Sequence, residues 1–120
     1  AIKELQEFNI SVELIDVQTL LPFDIDHVIV ESIKNVDYAF LDGTFYDQKE
    51  INNRDMSEIP HPFVIESMKL FDDLEIKHKN KIYFIHLNHT NPLLNSNSKE
   101  YKYVVSNGYN VAKEGLELKL

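Results

Sequence analysis

The sequence predicts a small α/β domain, because two apolar runs of strand length alternate with stretches of helical periodicity. The first strand is predicted within residues 37–43 and the second at Ile82–Ile85, and both are rich in β-branched or aromatic residues. Polar residues follow each run at once. Ligands of open α/β sheets bind at the carboxyl ends of the strands, so we expect a functional site at that edge.

Length and composition narrow the class of protein. The 120 residues suffice for one domain with a real core and are too few for two, so we expect residues 1–120 to form a single domain. A net charge of −8 argues against strong binding to nucleic acid or to anionic membranes, because both require a basic surface. The lack of an apolar run of about 18 residues is typical of a cytoplasmic protein without a membrane span.

The absence of cysteine limits the chemistry of any metal site. Disulfides and thiolate ligands are excluded, and only His, Asp and Glu remain as strong protein ligands for a metal ion.

The N-terminal part is predicted to contain a short helix that ends near Asn9, followed by a strand at 10–17 whose side chains alternate between apolar and polar. A turn with Asp24, Asp26 and His27 comes next. Asp26 fits the N-cap of a helix through residues 28–33, and the same turn also offers two carboxylates and an imidazole to a metal, so both interpretations stay open.

Residues 46–60 lack a clear period and are predicted to form a long loop of the kind that often binds ligands. His61 and Pro62 follow, and Pro62 is suited to the first turn of the next helix. A neutral His61 beside a bound anion would be a useful proton carrier, although an ordinary residue next to a helix cap would give the same pattern.

The C-terminal part is predicted to contain one more helix and a hairpin. Ser98 opens the helix, Asn107 and Gly108 end it with a left-handed cap, and residues 109–112 and 116–120 form the two strands of the hairpin.

Four stretches give the sequence a specific resemblance. Residues 41–45, 56–62, 85–94 and 108–115 resemble, in order, the C-terminal half of metallo-β-lactamase-fold hydrolases similar to the pyrroloquinoline-quinone biosynthesis B family. The unusual His-x-Asn-x-Thr-Asn-Pro run that begins at His86 makes the resemblance specific.

The resemblance implies a four-layer αββα sandwich with a mixed sheet, flanking helices and one or two zinc ions, for which iron or manganese are alternatives. His86 matches the family's last metal-binding histidine, and Asp24 resembles its bridging aspartate. An extra phenylalanine separates Pro22 from Asp24, so Asp26 remains the alternative ligand.

The resemblance also implies roles for residues that do not bind the metal. His61 stands where related nucleases carry a histidine that serves as general acid, and Asp42 is suited to orient a ligand imidazole. The residues expected to support this site or to contact substrate, besides Asp42, are Asn88, His89 and Asn91.

The implied function is metal-dependent hydrolysis, in which a metal-bound hydroxide attacks an ester, amide or phosphodiester. The His-x-His-x-x-His cluster that holds most metal ligands of this fold is absent from the sequence. We therefore expect the chain to be either the C-terminal half of a longer domain or a degenerate relative, and its start without methionine favours the first. We expect it to need the missing N-terminal half as its partner and to be inactive alone.

Two further expectations concern partners and the competing class of protein. The other expected partners are a small-molecule substrate or phosphodiester and a second copy of the chain in a homodimer. The alternative function is a non-catalytic α/β module that binds an anion or a partner at the polar edge, and a purely structural domain is the third interpretation.

Overall fold

The computed structural model describes residues 7–14, 22–50 and 61–120 of the chain, with backbone only at 22–25. The helices are α1 (Pro22–Asn35), α2 (Val64–Leu70), α3 (Ile76–Lys79), a 3₁₀ helix (Pro92–Leu94) and α4 (Lys99–Ser106), and the strands are β1 (Ala39–Asp42), β2 (Ile82–Ile85) and β3 (Asn110–Val111).

The three strands form one parallel sheet in the order β1-β2-β3. Ala39 pairs with Ile82 and Asp42 with Ile85, so β1 and β2 end at the same level. The α/β class and both predicted strands are confirmed. The expected mixed sheet is wrong for the described residues, because both strand pairs within them are parallel.

The predicted C-terminal hairpin is also wrong. Residues 110–111 pair with the central strand, and Ala112 donates a backbone hydrogen bond to Phe84 O at 3.0 Å. No strand follows within residues 112–120, and Leu120 is 85% exposed. The open edge of β2 gives this segment a buried neighbour, whereas an isolated two-stranded hairpin is marginally stable in water.

The strand predicted at 10–17 is not formed where the structure describes it. Residues 10–14 lie outside any strand, and Val12 and Leu14 are exposed. Alternation of side chains stabilises a strand only when a neighbouring strand is present to pair with it. Residues 15–17, and residues 1–6 of the predicted first helix, lie outside the described residues.

The helices and the core lie against one face of the sheet. Ile82 and Phe84 of β2 point into this core and are fully buried. The helical and loop residues that pack with them include Ile33, Val64, Met68, Phe71, Leu93 and Val104. The described residues thus form one sheet and one helical layer, and the four-layer sandwich stays a prediction.

The opposite face of the sheet, which we call the outer face, carries the alternate strand residues Phe40, Asp42, Tyr83 and Ile85. The rings of Phe40 and Tyr83 lie 5.8 Å apart between centroids, and Phe40 is 50% exposed. Asp42 belongs to this face at its carboxyl end, so the fold places a carboxylate on the same face as the half-exposed ring of Phe40.

Side-chain hydrogen bonds and a glycine mark where two of the helices begin or end. Helix α4 begins as predicted, since Ser98 Oγ accepts a hydrogen bond from Tyr101 N at 3.0 Å, and Gly108 follows it with φ +95°. Helix α2 begins at Val64 rather than at Pro62, and Glu66 Oε2 accepts a hydrogen bond from Phe63 N at its start.

None of the described helices is long and apolar enough to cross a membrane.

Candidate functional site

The loops that follow β1 and β2 lie side by side at the carboxyl edge of the sheet. Gly43 N donates to Ile85 O at 2.8 Å, and Asn88 N donates to Thr44 O at 3.0 Å. The structure therefore brings together two of the polar clusters that the sequence placed at strand ends, residues 42–44 and 86–91.

A carboxylate and an imidazole pair at this edge. Asp42 Oδ2 lies 2.7 Å from His61 Nδ1, and the side chains are 27% and 46% exposed, respectively. The other carboxylate oxygen, Oδ1, accepts a hydrogen bond from Thr44 Oγ1 at 2.6 Å. The ring of His61 also meets Phe45 edge to face, with 6.4 Å between centroids. The imidazole is thus oriented by a carboxylate while part of its ring stays open to solvent.

This geometry determines how the imidazole can act. A carboxylate accepts hydrogen bonds only, so Nδ1 of His61 carries the hydrogen in the contact with Asp42. In the neutral ring Nε2 then holds a lone pair, which can take up a proton or bind a metal. The sequence predicts that Asp42 orients the imidazole of a metal ligand. In the structure the imidazole beside Asp42 is that of His61, which the sequence predicts as the general acid, so the role of Asp42 towards a metal ligand stays a prediction.

His86 follows the last residue of β2 and is exposed. Its φ of +60° places a residue with a Cβ in the left-handed region, where few residues other than glycine are found. Asn9 has the same φ, and strained conformations of this kind concentrate at functional sites, so the backbone of His86 adds a second observation to the sequence pattern. Its role as a metal ligand stays a prediction.

The acidic turn before residue 28 is part of a helix. Because α1 begins at Pro22, both Asp24 and Asp26 lie within the helix, and the expectation that Asp26 is its N-cap is wrong. A proline is well suited to a helix's first turn, which explains the earlier start. Asp26 and His27 are exposed. The side chain of Asp24 lies outside the described residues, so its role as a ligand stays a prediction.

Asn91 ties the two loops together from inside the protein. It is 2% exposed, and its Nδ2 donates to Gly43 O at 2.7 Å and to Thr44 O at 3.1 Å. Its Oδ1 accepts a hydrogen bond from Leu93 N at 2.9 Å. Because these bonds occupy both amide hydrogens and the oxygen, Asn91 supports the site through the backbone.

A second hydrogen-bond chain lies further along the same loops. Asn88 Nδ2 donates to Thr90 Oγ1 at 2.7 Å, and Thr90 Oγ1 donates to Glu50 Oε1 at 2.6 Å. Glu50 Oε2 accepts a hydrogen bond from Tyr46 N. His89, which lies between Asn88 and Thr90, is exposed as Thr90 is. Glu50 is not predicted from the sequence, because it lies in an aperiodic polar segment and carries no motif that would single it out.

An open cleft of about 630 Å³ lies next to this chain of hydrogen bonds. Its lining includes Tyr46, Glu50 and Thr90 and does not include Asp42 or His61. The cleft and the carboxylate–imidazole pair are therefore separate features of one edge.

The described residues do not form a catalytic zinc site by themselves. Within 7–14, 22–50 and 61–120, no group of three His, Cys, Asp or Glu side chains is arranged to hold a metal ion. Catalytic zinc uses three protein ligands and an open position. Any such centre would need ligands beyond those described here.

Comparison with known proteins gives one consistent relationship. The chain is 28% identical over 101 residues to the coenzyme PQQ synthesis protein B of Acinetobacter baumannii strain ACICU, a match that covers 80% of this chain and 33% of that protein. The protein of the same name from Pseudomonas syringae pv. tomato matches with the same identity and coverage. That of Methylococcus capsulatus is 27% identical over 105 residues, covering 81% of this chain and 34% of its own length.

The other two comparisons, with protein-family models and with solved structures, gave no match. The chain spans about a third of the length of the curated relatives it matches. The expected resemblance is therefore confirmed at the level of sequence: over about four-fifths of its length, the chain is related to the coenzyme PQQ synthesis protein B.

Proposed function

We propose that this chain is part of a metal-dependent hydrolase of the metallo-β-lactamase superfamily, with a role in PQQ synthesis like the relatives it resembles. The observation that carries the proposal is the contact of 2.7 Å between Asp42 Oδ2 and His61 Nδ1 at the carboxyl edge of a parallel sheet. That edge also carries His86, which directly follows the adjacent strand.

His61 is the proton carrier in this proposal. Asp42 holds Nδ1 and stabilises the positive ring that forms when Nε2 is protonated. Nε2 of the protonated ring then donates its proton to the oxygen or nitrogen of the leaving group as the bond to it breaks. The partial exposure of both side chains leaves room for a substrate to approach the ring.

His86 and Asp24 are the residues that we propose as metal ligands, with zinc as the expected ion and iron or manganese as alternatives. A metal bound there would supply a Lewis acid and an activated water. Since the described residues hold no three-ligand set, we assign the remaining ligands to residues outside them, in this chain or in the part of the relatives' length that it does not span.

The outer face of the sheet is the surface that we assign to that remaining part. Phe40 is 50% exposed beside Tyr83 on the sheet face opposite the described helices and core. An aromatic sheet face is stabilised when a second layer packs on it, and stacked sheets lie about 10 Å apart. The relatives are three times as long as the matched segment, so they have enough chain to supply such a layer.

The experiment that tests the proton carrier uses the full-length product of this coding region. Hydrolysis of activated p-nitrophenyl esters and phosphodiesters is measured across pH for the wild type, His61→Ala and His78→Gln. His78 is the control because it lies in α3, before the amino end of β2, and has no role in the predicted site. We expect His61→Ala to lower kcat by roughly 10²- to 10⁴-fold and His78→Gln to leave it near the wild-type value.

Two results would count against the proposal. Equal kcat in the two variants would remove the role of His61. A folded full-length protein with no bound metal and no hydrolysis of any of these substrates would favour the non-catalytic module that binds an anion or a partner.

A further inference from the structure

Both oxygens of the Asp42 carboxylate are engaged by different partners. Oδ2 lies 2.7 Å from His61 Nδ1, and Oδ1 accepts the hydroxyl hydrogen of Thr44 at 2.6 Å. The backbone N–H of Thr44 approaches Oδ1 as well, at 3.4 Å. The hydroxyl must be the donor here, because an ionised carboxylate accepts hydrogen bonds only. Thr44 thus holds the end of the carboxylate that faces away from the imidazole.

The backbone around Thr44 is fixed by the neighbouring loop. Thr44 O accepts hydrogen bonds from Asn88 N at 3.0 Å and from Asn91 Nδ2 at 3.1 Å. The preceding Gly43 is buried so tightly that an added Cβ would lie 3.0 Å from Phe84 Cβ. Because threonine is also restricted at χ1, its hydroxyl has little freedom to leave Asp42.

We propose that Thr44 is a positioning residue, which turns Asp42 Oδ2 towards His61 and thereby selects the tautomer of His61 that carries its hydrogen on Nδ1. The proposal rests on the function proposed above, in which His61 carries a proton. Without the Thr44 hydroxyl the carboxylate of Asp42 can rotate about χ2, so that Oδ2 no longer stays directed at Nδ1 of His61. The hydrogen bond that fixes the ring is then weaker. The hydroxyl therefore acts on His61 through Asp42.

The selected tautomer sets the order of proton transfers. Nε2 of the neutral ring has a lone pair, so His61 begins by accepting a proton at Nε2 when an O–H bond of the attacking water breaks. It ends by donating that proton from Nε2 to the leaving group. The ring returns to its starting state, and no further reactant is consumed.

The tautomer can be read directly by NMR. The full chain is labelled with ¹⁵N-histidine, the His61 signals are assigned with a His61→Gln variant, and long-range ¹H–¹⁵N correlations are recorded at a pH where the ring is neutral. The variants are Thr44→Val, Thr44→Ala, Thr44→Ser and Thr90→Val. Thr90 is the matched control, because its hydroxyl also donates to a carboxylate at 2.6 Å, that of Glu50.

We expect the wild type and Thr44→Ser to show hydrogen on Nδ1 of His61. Thr44→Val and Thr44→Ala should move the population towards hydrogen on Nε2, and Thr90→Val should leave it unchanged. Amide spectra identify variants that keep the native fold, and either Thr44→Val or Thr44→Ala is sufficient for the test.

The wild-type tautomer in a folded Thr44→Val or Thr44→Ala variant would overturn the proposal, and so would an equal change in Thr90→Val. The outcome is independent of hydrolysis. A shift of tautomer together with unchanged turnover in the full-length His61→Ala variant would leave Thr44 as the residue that sets the ring and would refute the proton carrier alone.

Discussion

Replacement of Asn91 by alanine should destabilise the chain far more than the loss of an ordinary surface asparagine. Asn91 is 2% exposed and makes three hydrogen bonds to backbone groups of two loops. Removal of its side chain leaves two buried backbone groups, Gly43 O and Leu93 N, without their hydrogen bonds to the Asn91 amide. Thr44 O is affected less, because it keeps the hydrogen bond from Asn88 N.

The magnitude follows from the number of groups left unpaired. A buried polar group without a partner costs about 1–3 kcal/mol, and two such groups remain after Asn91→Ala. Since water can enter the space and compensate in part, we expect the free energy of unfolding to fall by about 2–4 kcal/mol. Asn91→Asp should be at least as harmful, because it places a carboxylate oxygen against Gly43 O.

Urea denaturation of the chain, followed by circular dichroism, measures this loss. Asn97→Ala is the matched control, since Asn97 is exposed in the loop before α4 and should change the free energy of unfolding by no more than about 0.5 kcal/mol. Similar losses for Asn91→Ala and Asn97→Ala would refute the buried role of Asn91 in joining the loops.

Three further predictions concern other parts of the fold. Gly108→Ala should lower the free energy of unfolding by about 1–3 kcal/mol, since Gly108 has φ +95° and a Cβ would lie 2.3 Å from Ile76 Cδ1. Gly115 has φ +80° and no atom within 4 Å of such a Cβ, so Gly115→Ala should lower it by about 1 kcal/mol in the same urea assay. Burial, and then nearby lysines, hold the pKa of His78 below 6.5, so the free energy of unfolding should fall as pH drops below about 6.5, and His78→Gln should remove that dependence. Burial raises the pKa of Tyr109 to about 12, so one phenolate should form near that pH in ultraviolet titration and be missing in Tyr109→Phe. The neutral, buried phenol stabilises the fold relative to the unfolded chain, and this stabilisation should be lost as pH rises from 10 to 12.

The sequence predicted the central part of the fold because the signals there are local. The apolar run Ile82–Ile85 has the length and residue types of a buried strand, and Ser98 and Gly108 carry ordinary cap chemistry. The strand at 10–17 and the C-terminal hairpin failed over the described residues because pairing is not local. Neither the alternation of apolar and polar side chains nor a turn signal specifies which edge of a sheet is open to another strand. In the structure residues 110–111 pair with the open edge of β2.

The candidate site was predicted in its residue types more than in its geometry. Asp42 and His61 were both identified, but their contact spans 19 positions and follows only from the fold. The sequence predicts that Asn91 supports the site or contacts substrate, and only the fold shows that its amide is buried and hydrogen-bonded to backbone groups. The positive φ of His86 has no signature in the sequence, since the residue is neither glycine nor part of an Asn-Gly turn.

Bound metal in the full-length product of this coding region tests the central claim most directly. Elemental mass spectrometry is applied to the purified wild type, to His86→Ala and to His78→Gln, in which a histidine of α3 outside the predicted site is replaced. Our account predicts about one or two equivalents of zinc, iron or manganese per chain, a clear loss in His86→Ala and none in His78→Gln. A folded wild-type protein without metal, or one whose metal content is unchanged in His86→Ala, would contradict it.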